Sequence, residues 1–185
     1  MAQILHKLSG GDRRSIGQVD EVIADVEEDQ SLFDELVFGM LHGDPLIAMR
    51  AADAVEKLTR EHPDWLRPYK DFLIDRAPLS EGQEVCWSLA LMFGRLQLSD
   101  SERHRILDIL SGWLDQKSSI LKTFAMQGLA DQAEQNPELL PDVLPVIEEC
   151  TATGTPAMRA RGRKLLKKLR VIEPTIAIRK GRRES

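Results

Sequence analysis

The sequence predicts an all-α chain, a solenoid of about four to five antiparallel helix pairs. Three observations predict it: self-similarity at an offset of 74 residues, apolar residues at helical spacing along nearly the whole chain, and capping residues and prolines placed where helices begin. With 185 residues, the chain is long enough for one domain with a core and short for two.

Shifted by 74 residues, the chain aligns with itself without gaps over two stretches. The first is Asp44-Pro45-Leu46-Ile47-Ala48-Met49-Arg50-Ala51-Ala52-Asp53-Ala54-Val55, continuing through Glu61-His62-Pro63-Asp64-Trp65-Leu66. The second is Ser118-Ser119-Ile120-Leu121-Lys122-Thr123-Phe124-Ala125-Met126-Gln127-Gly128-Leu129, ending in Gln135-Asn136-Pro137-Glu138-Leu139-Leu140. Ala51/Ala125, Pro63/Pro137 and Leu66/Leu140 are identical; pairs such as Ile47/Leu121, Val55/Leu129 and Asp64/Glu138 keep their character. Two periods of 37 make up this offset, so a degenerate copy is expected between, with Glu81 to Leu96 and then Ser99 to Leu114 as its helices. Thr155-Pro156-Ala157-Met158-Arg159-Ala160 starts a further unit.

In chain order, residues 1–14 read as a flexible leading segment, with Ser9-Gly10-Gly11-Asp12 a linker. Ile16, Val19, Val22, Ile23 and Val26 make the stripe of a first helix. Ser31 with Asp34 resembles an acidic capping box, followed by the apolar face Leu32, Phe33, Leu36, Val37, Met40 and Leu41. Gly43 fits a left-handed helix stop, and Asp44-Pro45 an N-cap with proline at the first helical position. Trp65, Leu66, Tyr69, Phe72 and Leu73 share the next face. Ile106, Leu107, Leu110, Trp113 and Leu114 repeat the arrangement, as do Leu140, Val143, Leu144 and Ile147. Pro68, Pro141 and Pro145 either belong to first turns or kink their helices. Met158, Gly162, Leu165, Leu166 and Leu169 are expected to pack a last helix on the preceding pair. Only Thr175 to Ile178 suggests a strand, and residues 171–185 read as a basic tail.

Ala51, Ala52, Ala54, Ala125 and Gly128 let a unit's first helix approach its neighbours, and such a unit needs the next one stacked on it. The Asp44-Pro45, Met49-Arg50 and Ala51-Ala52 pattern, then Leu58 and a proline-led second helix, resembles bacterial-type HEAT repeats of the HEAT/armadillo class, over roughly residues 15–170. The unit at 81–114 lacks both the Asp-Pro start and the proline-led second helix, which leaves its register open. The resemblance implies a right-handed α–α superhelix. That family includes scaffolds, transport receptors, chromophore lyases and a few DNA-repair glycosylases, so fold alone does not choose a function.

The net charge of −5 conceals an asymmetry: from Arg159 onward eleven Lys/Arg stand against two Glu, while the rest carries 14 basic and 28 acidic residues. Arg159, Arg163, Lys167, Arg170, Arg179, Lys180, Arg182 and Arg183 form a basic C-terminal patch, with Arg161, Lys164 and Lys168 on the other flank. Such a helix either caps the repeat stack, contacts an acidic protein surface, or tracks phosphates; no aromatic, Asn or Gln is present there to read bases.

Catalytic and metal motifs are missing. HExxH, CxxC, GxSxG and a phosphate-cradling glycine loop do not occur, and His6, His42, His62 and His104 show no ligand spacing. Glu27-Glu28 and Glu148-Glu149 read as solvated surface, Trp65, Trp87 and Trp113 as core. Cys86 and Cys150 read as reduced thiols, and no run is apolar enough for a secretory signal or a membrane span, which points to the cytoplasm. The expectation is a non-enzymatic protein-binding module or scaffold, without metal or cofactor. Its concave face is lined by second helices bearing Arg67, Lys70, Asp71, Arg103, Asp108, Asp142 and Glu148. Nucleic-acid binding through the basic C-terminus is the alternative, and a HEAT-type lyase or glycosylase a more distant one.

Overall fold

The computed structural model describes residues 3–12, 15, 17–79 and 82–183, with backbone alone for Ala77 and 173–183. Ile16 and Glu81 lie outside the described residues. The chain divides into two compact units, Met1–Met92 and Phe93–Ser185. Among the described residues there are ten α-helices, several 3-10 turns and no strand.

The first unit holds α1 (Gln3–Lys7), α2 (Val19–Glu28), α3 (Phe33–Gly39), α4 (Pro45–Glu61), α5 (Lys70–Asp75) and α6 (Gln83–Phe93), whose last residue falls in the second. The second unit holds α7 (Asp100–Leu114), α8 (Ser119–Gln135), α9 (Leu140–Thr153) and α10 (Pro156–Arg183). First helices begin at side-chain caps: the Asp44 carboxylate accepts from Leu46 N at 2.9 Å, and Ser118 Oγ from Leu121 N at 3.3 Å. Pro63 and Pro137 open 3-10 turns (Pro63–Tyr69 and Pro137–Leu139) that lead into α5 and α9. The unit without a proline-led second helix starts it with a Ser99/Glu102 capping box. Pro141 lies in the first turn of α9, Pro68 inside a 3-10 helix, and α9 runs on past Pro145 to Thr153.

Several expectations change. The cap before α3 is Asp29, which accepts from Ser31 N at 3.0 Å and Ser31 Oγ at 2.7 Å. Gly43 has no positive φ; among the described residues that conformation belongs to Gly10, Gly11 and Gly17. Thr175 to Ile178 continues the helical backbone of α10, which extends through the basic segment to Arg183. Residues read as a flexible lead include α1, whose Ile4 and Leu5, with Leu8, are buried. Apolar burial outweighed the glycine signal next to them.

Side-chain pairs give the stacking directions. Arg161 meets Gln127 and Lys168 meets Glu134, a constant offset of 34, so α8 and α10 run parallel. Arg170 reaches back to Glu148, while Gly162 lies against Thr151, so α9 and α10 run antiparallel. A Cβ at position 162 would overlap the Thr151 hydroxyl, which is why a glycine stands there. Met158, Gly162, Leu165 and Leu169 are buried as expected, and Leu166 is half-buried.

Candidate functional site

In the first unit, six rings form a continuous ladder across α3, the Pro63–Tyr69 turn and α5. His62 stacks on Trp65 at 4.3 Å, Trp65 meets Phe33 edge-on at 5.2 Å, and Phe33 meets Tyr69 at 5.5 Å. Tyr69 then meets Phe38 at 6.2 Å and Phe38 meets Phe72 at 5.2 Å, both edge-on. Phe33, in the middle of the ladder, is buried in the core, whereas Phe38 is 56% exposed; Leu41, one turn on, is 44% exposed. Tyr69 donates its hydroxyl to the Asp34 carboxylate, and burial with that carboxylate pushes the phenol up to about 12. It therefore stays a neutral donor. Asp34, Phe38 and Leu41 fall at i, i+4 and i+7 on the solvent side of the chain.

Arg67, Lys70 and Asp71 lie on the same stretch of chain as Tyr69 and Phe72. Arg67 is exposed and pairs locally with Asp64 at 3.0 Å, Asp71 is exposed and Lys70 half-buried. In the second unit, Asp108 and Asp142 are exposed on α7 and α9. Arg103 is 15% exposed, bonded to Asp100 at 2.8 Å and to the Leu98 carbonyl at 3.0 Å, so it ties the turn before α7. Glu148 meets Arg170 at 2.6 Å. The two sets of expected residues thus join at that one pair. Arg159 donates to the Gly154 carbonyl at 2.9 Å. Arg163 and Lys167 are exposed; the side chains of Arg179, Lys180, Arg182 and Arg183 lie outside what is described.

The buried Arg50 and Gln132 and the half-buried Asp131 were not foreseen. Arg50 on α4 is 1% exposed and donates to the carbonyls of Leu8, Gly10, Asp12 and Ser15, at 2.7 to 3.1 Å. Gln132 on α8 is equally buried and donates to the Phe93 carbonyl at 2.6 Å. Burial pushes the Asp131 carboxyl up to about 6, against the favourable bond from Gln127 at 2.6 Å. A shifted carboxyl marks a catalytic candidate where substrate can reach it. Here a Cβ at Gly94 would stand 2.7 Å from the carboxylate, so Asp131 packs against backbone. The available signal was a lone Asp inside Gly128-Leu129-Ala130-Asp131-Gln132-Ala133, where every neighbour but Gln132 is small or apolar.

A groove of about 630 Å³ opens between the ends of α7, α8, α9 and α10, with Lys117, Lys122, Glu149, Cys150 and Thr153 among its walls. Burial raises the Cys150 thiol and pushes Cys86 up to about 11, the reverse of an activated nucleophile. Both cysteines are reduced thiols. Among the described residues, no cluster of three or more His, Cys, Asp or Glu is arranged to hold a metal ion.

A sequence profile of the HEAT repeat domain matches residues 6–169, nearly the whole chain. The chain belongs to the HEAT-repeat family. No curated protein and no solved structure matches it. In this HEAT-repeat protein the aromatic ladder is carried by α3, the Pro63–Tyr69 turn and α5. No described helix is long and apolar enough to cross a membrane.

Proposed function

We propose that this HEAT-repeat chain is a non-enzymatic protein-binding module whose docking surface in the first unit is the outer end of the aromatic ladder. The observation that carries this reading is Phe38, a large ring 56% exposed, held edge-on by Tyr69 and Phe72. Rings pre-ordered by their neighbours lose little entropy on binding and supply the apolar anchor that protein interfaces concentrate. Arg67, Lys70 and Asp71 give that anchor a polar rim of mixed charge. Asp108 and Asp142 extend the second-helix surface in the other unit. The reduced thiols suit a reducing compartment, and the cytoplasm is the setting this reading assumes.

Affinity purification of the native chain beside Phe38→Ser tests it. A protein retained by the native chain and lost by the variant, with unchanged circular dichroism, supports the reading. Equal recovery by both, or recovery of nucleic acid alone, overturns it.

A second reading, phosphate contact by the basic C-terminal helix, is favoured by Arg163, Lys164 and Lys167, three exposed cations with no partner among the described residues. It requires binding to a mixed-sequence RNA or DNA that weakens steeply with salt. Binding that ignores salt removes it.

A further inference from the structure

The repeat register shows which face of α10 a following unit would cover. Positions of α8 that face α10 include Met126, Gln127 and Glu134: Gln127 and Glu134 bond Arg161 and Lys168, and Met126 lies against Gly162. Ala130, one turn between them, is fully buried. The helix starts at Ser118 and Thr155 are 37 residues apart, each hydroxyl accepting from a backbone amide three residues on. Advanced by 37, the four α8 positions become Arg163, Lys164, Lys167 and Val171. All four are exposed in α10, Val171 at 75%. The other described cations of the helix are occupied: Arg159, Arg161, Lys168 and Arg170 bond their own unit. The stacking face of the last helix thus carries three cations with no partner among the described residues, flanking an apolar side chain.

The opposite charge is concentrated in one place. Residues 15–49 contain nine Asp/Glu and no Lys or Arg. Helix α2 ends in Glu27 and Glu28 with no basic residue in its last turn, so these carboxylates add to the negative end of the helix dipole. Beside them, between α1, α2 and the following 3-10 turn, a groove of about 330 Å³ is lined by Asp25, Glu28 and Asp29, with Ile4 and Leu32 apolar and Lys7 paired to Asp25. Hydrogen bonds from Ser31 hold Asp29 below the usual carboxylate range, so it stays charged.

We propose that the exposed face of α10 docks a second copy of this chain, with Arg163, Lys164 and Lys167 seated against the Glu27–Glu28 end of α2 and Val171 against its groove. The two surfaces differ, so the contact is heterologous: each copy offers one of each, and association can continue beyond a dimer. It is driven by charge and is therefore salt-sensitive.

Sedimentation velocity on the full chain tests this. In about 50 mM salt the mean sedimentation coefficient is expected to rise with concentration, and in about 500 mM salt association is expected to weaken about tenfold or more. Glu27→Gln with Glu28→Gln disables one surface, and Arg163→Gln with Lys167→Gln the other. Each double variant alone is expected to sediment as a monomer. Mixed in equal amounts, they are expected to give a one-to-one dimer that grows no further, because each supplies the surface the other lacks. All four changes are at exposed positions, and circular dichroism confirms the fold. A chain that stays monomeric at low salt overturns the proposal, as does association untouched by either pair of substitutions, or a mixture that yields no dimer.

Discussion

Helices α4 and α8 occupy the same place in their repeats, span 17 residues each and begin 74 residues apart, yet they fasten the chain before them differently. Helix α4 uses Arg50, near its start, to gather four carbonyls from the stretch between Leu8 and Ser15. At the equivalent position α8 has Phe124. It works from its other end, where Gln132 reaches the Phe93 carbonyl and Gln135 the Gly94 carbonyl. A guanidinium has five donors in a fixed fork, enough to organise an irregular loop; an amide nitrogen has two and secures a single turn. The repeat fixes where the helices lie, and individual donors fix the segments between them.

Removing each fastener sharpens that contrast. Arg50→Met leaves the buried Leu8 carbonyl and three part-buried carbonyls without donors and is expected to cost about 3–5 kcal/mol in urea unfolding. Arg50→Lys, with three donors, is expected to recover only part. A loss below about 1 kcal/mol would show that the loop holds without the clamp. Asp131→Asn comes next, in the opposite direction. The folded carboxyl, raised to about 6, binds a proton more tightly than the unfolded one near 3.9, so native stability falls as pH rises between these values. The variant is therefore expected to gain about 2 kcal/mol at pH 7, and the gain to shrink toward zero near pH 4. A gain independent of pH would rule out titration as its cause. Gln132→Met loses one neutral bond and is expected to cost about 1 kcal/mol, well below Arg50→Met in the same assay. Arg67→Ala, at an exposed local pair, is expected to stay within about 0.5 kcal/mol.

The features legible in the sequence are the local ones. Asp44-Pro45 and the stripe from Met158 to Leu169 depend on neighbours three or four residues away, the 74-residue offset compares such local signals at two places, and each lies in the structure where it was expected. Arg50 and Gln132 were opaque because their acceptors are backbone carbonyls, which every residue carries alike. Arg103 looked like helix surface for the same reason. Leu41 counted with the apolar face of its helix but is 44% exposed, while Phe38 went unassigned because it falls off that face. An aromatic ring outside the stripe of an amphipathic helix was the signal for the candidate docking surface. The ladder also needed Trp65, Tyr69 and Phe72 from the next repeat, a contact that periodicity alone does not pair.

Repeat stacks fold quickly because most of their contacts are short-range in sequence. The Arg50 clamp is an exception, with bonds that span 35 to 42 residues. Closing it requires the second repeat to be helical while the leading segment is drawn in around the guanidinium and displaces its water. The stretch around Leu8 and Gly10 is then among the last to settle, waiting on a side chain made some forty residues later.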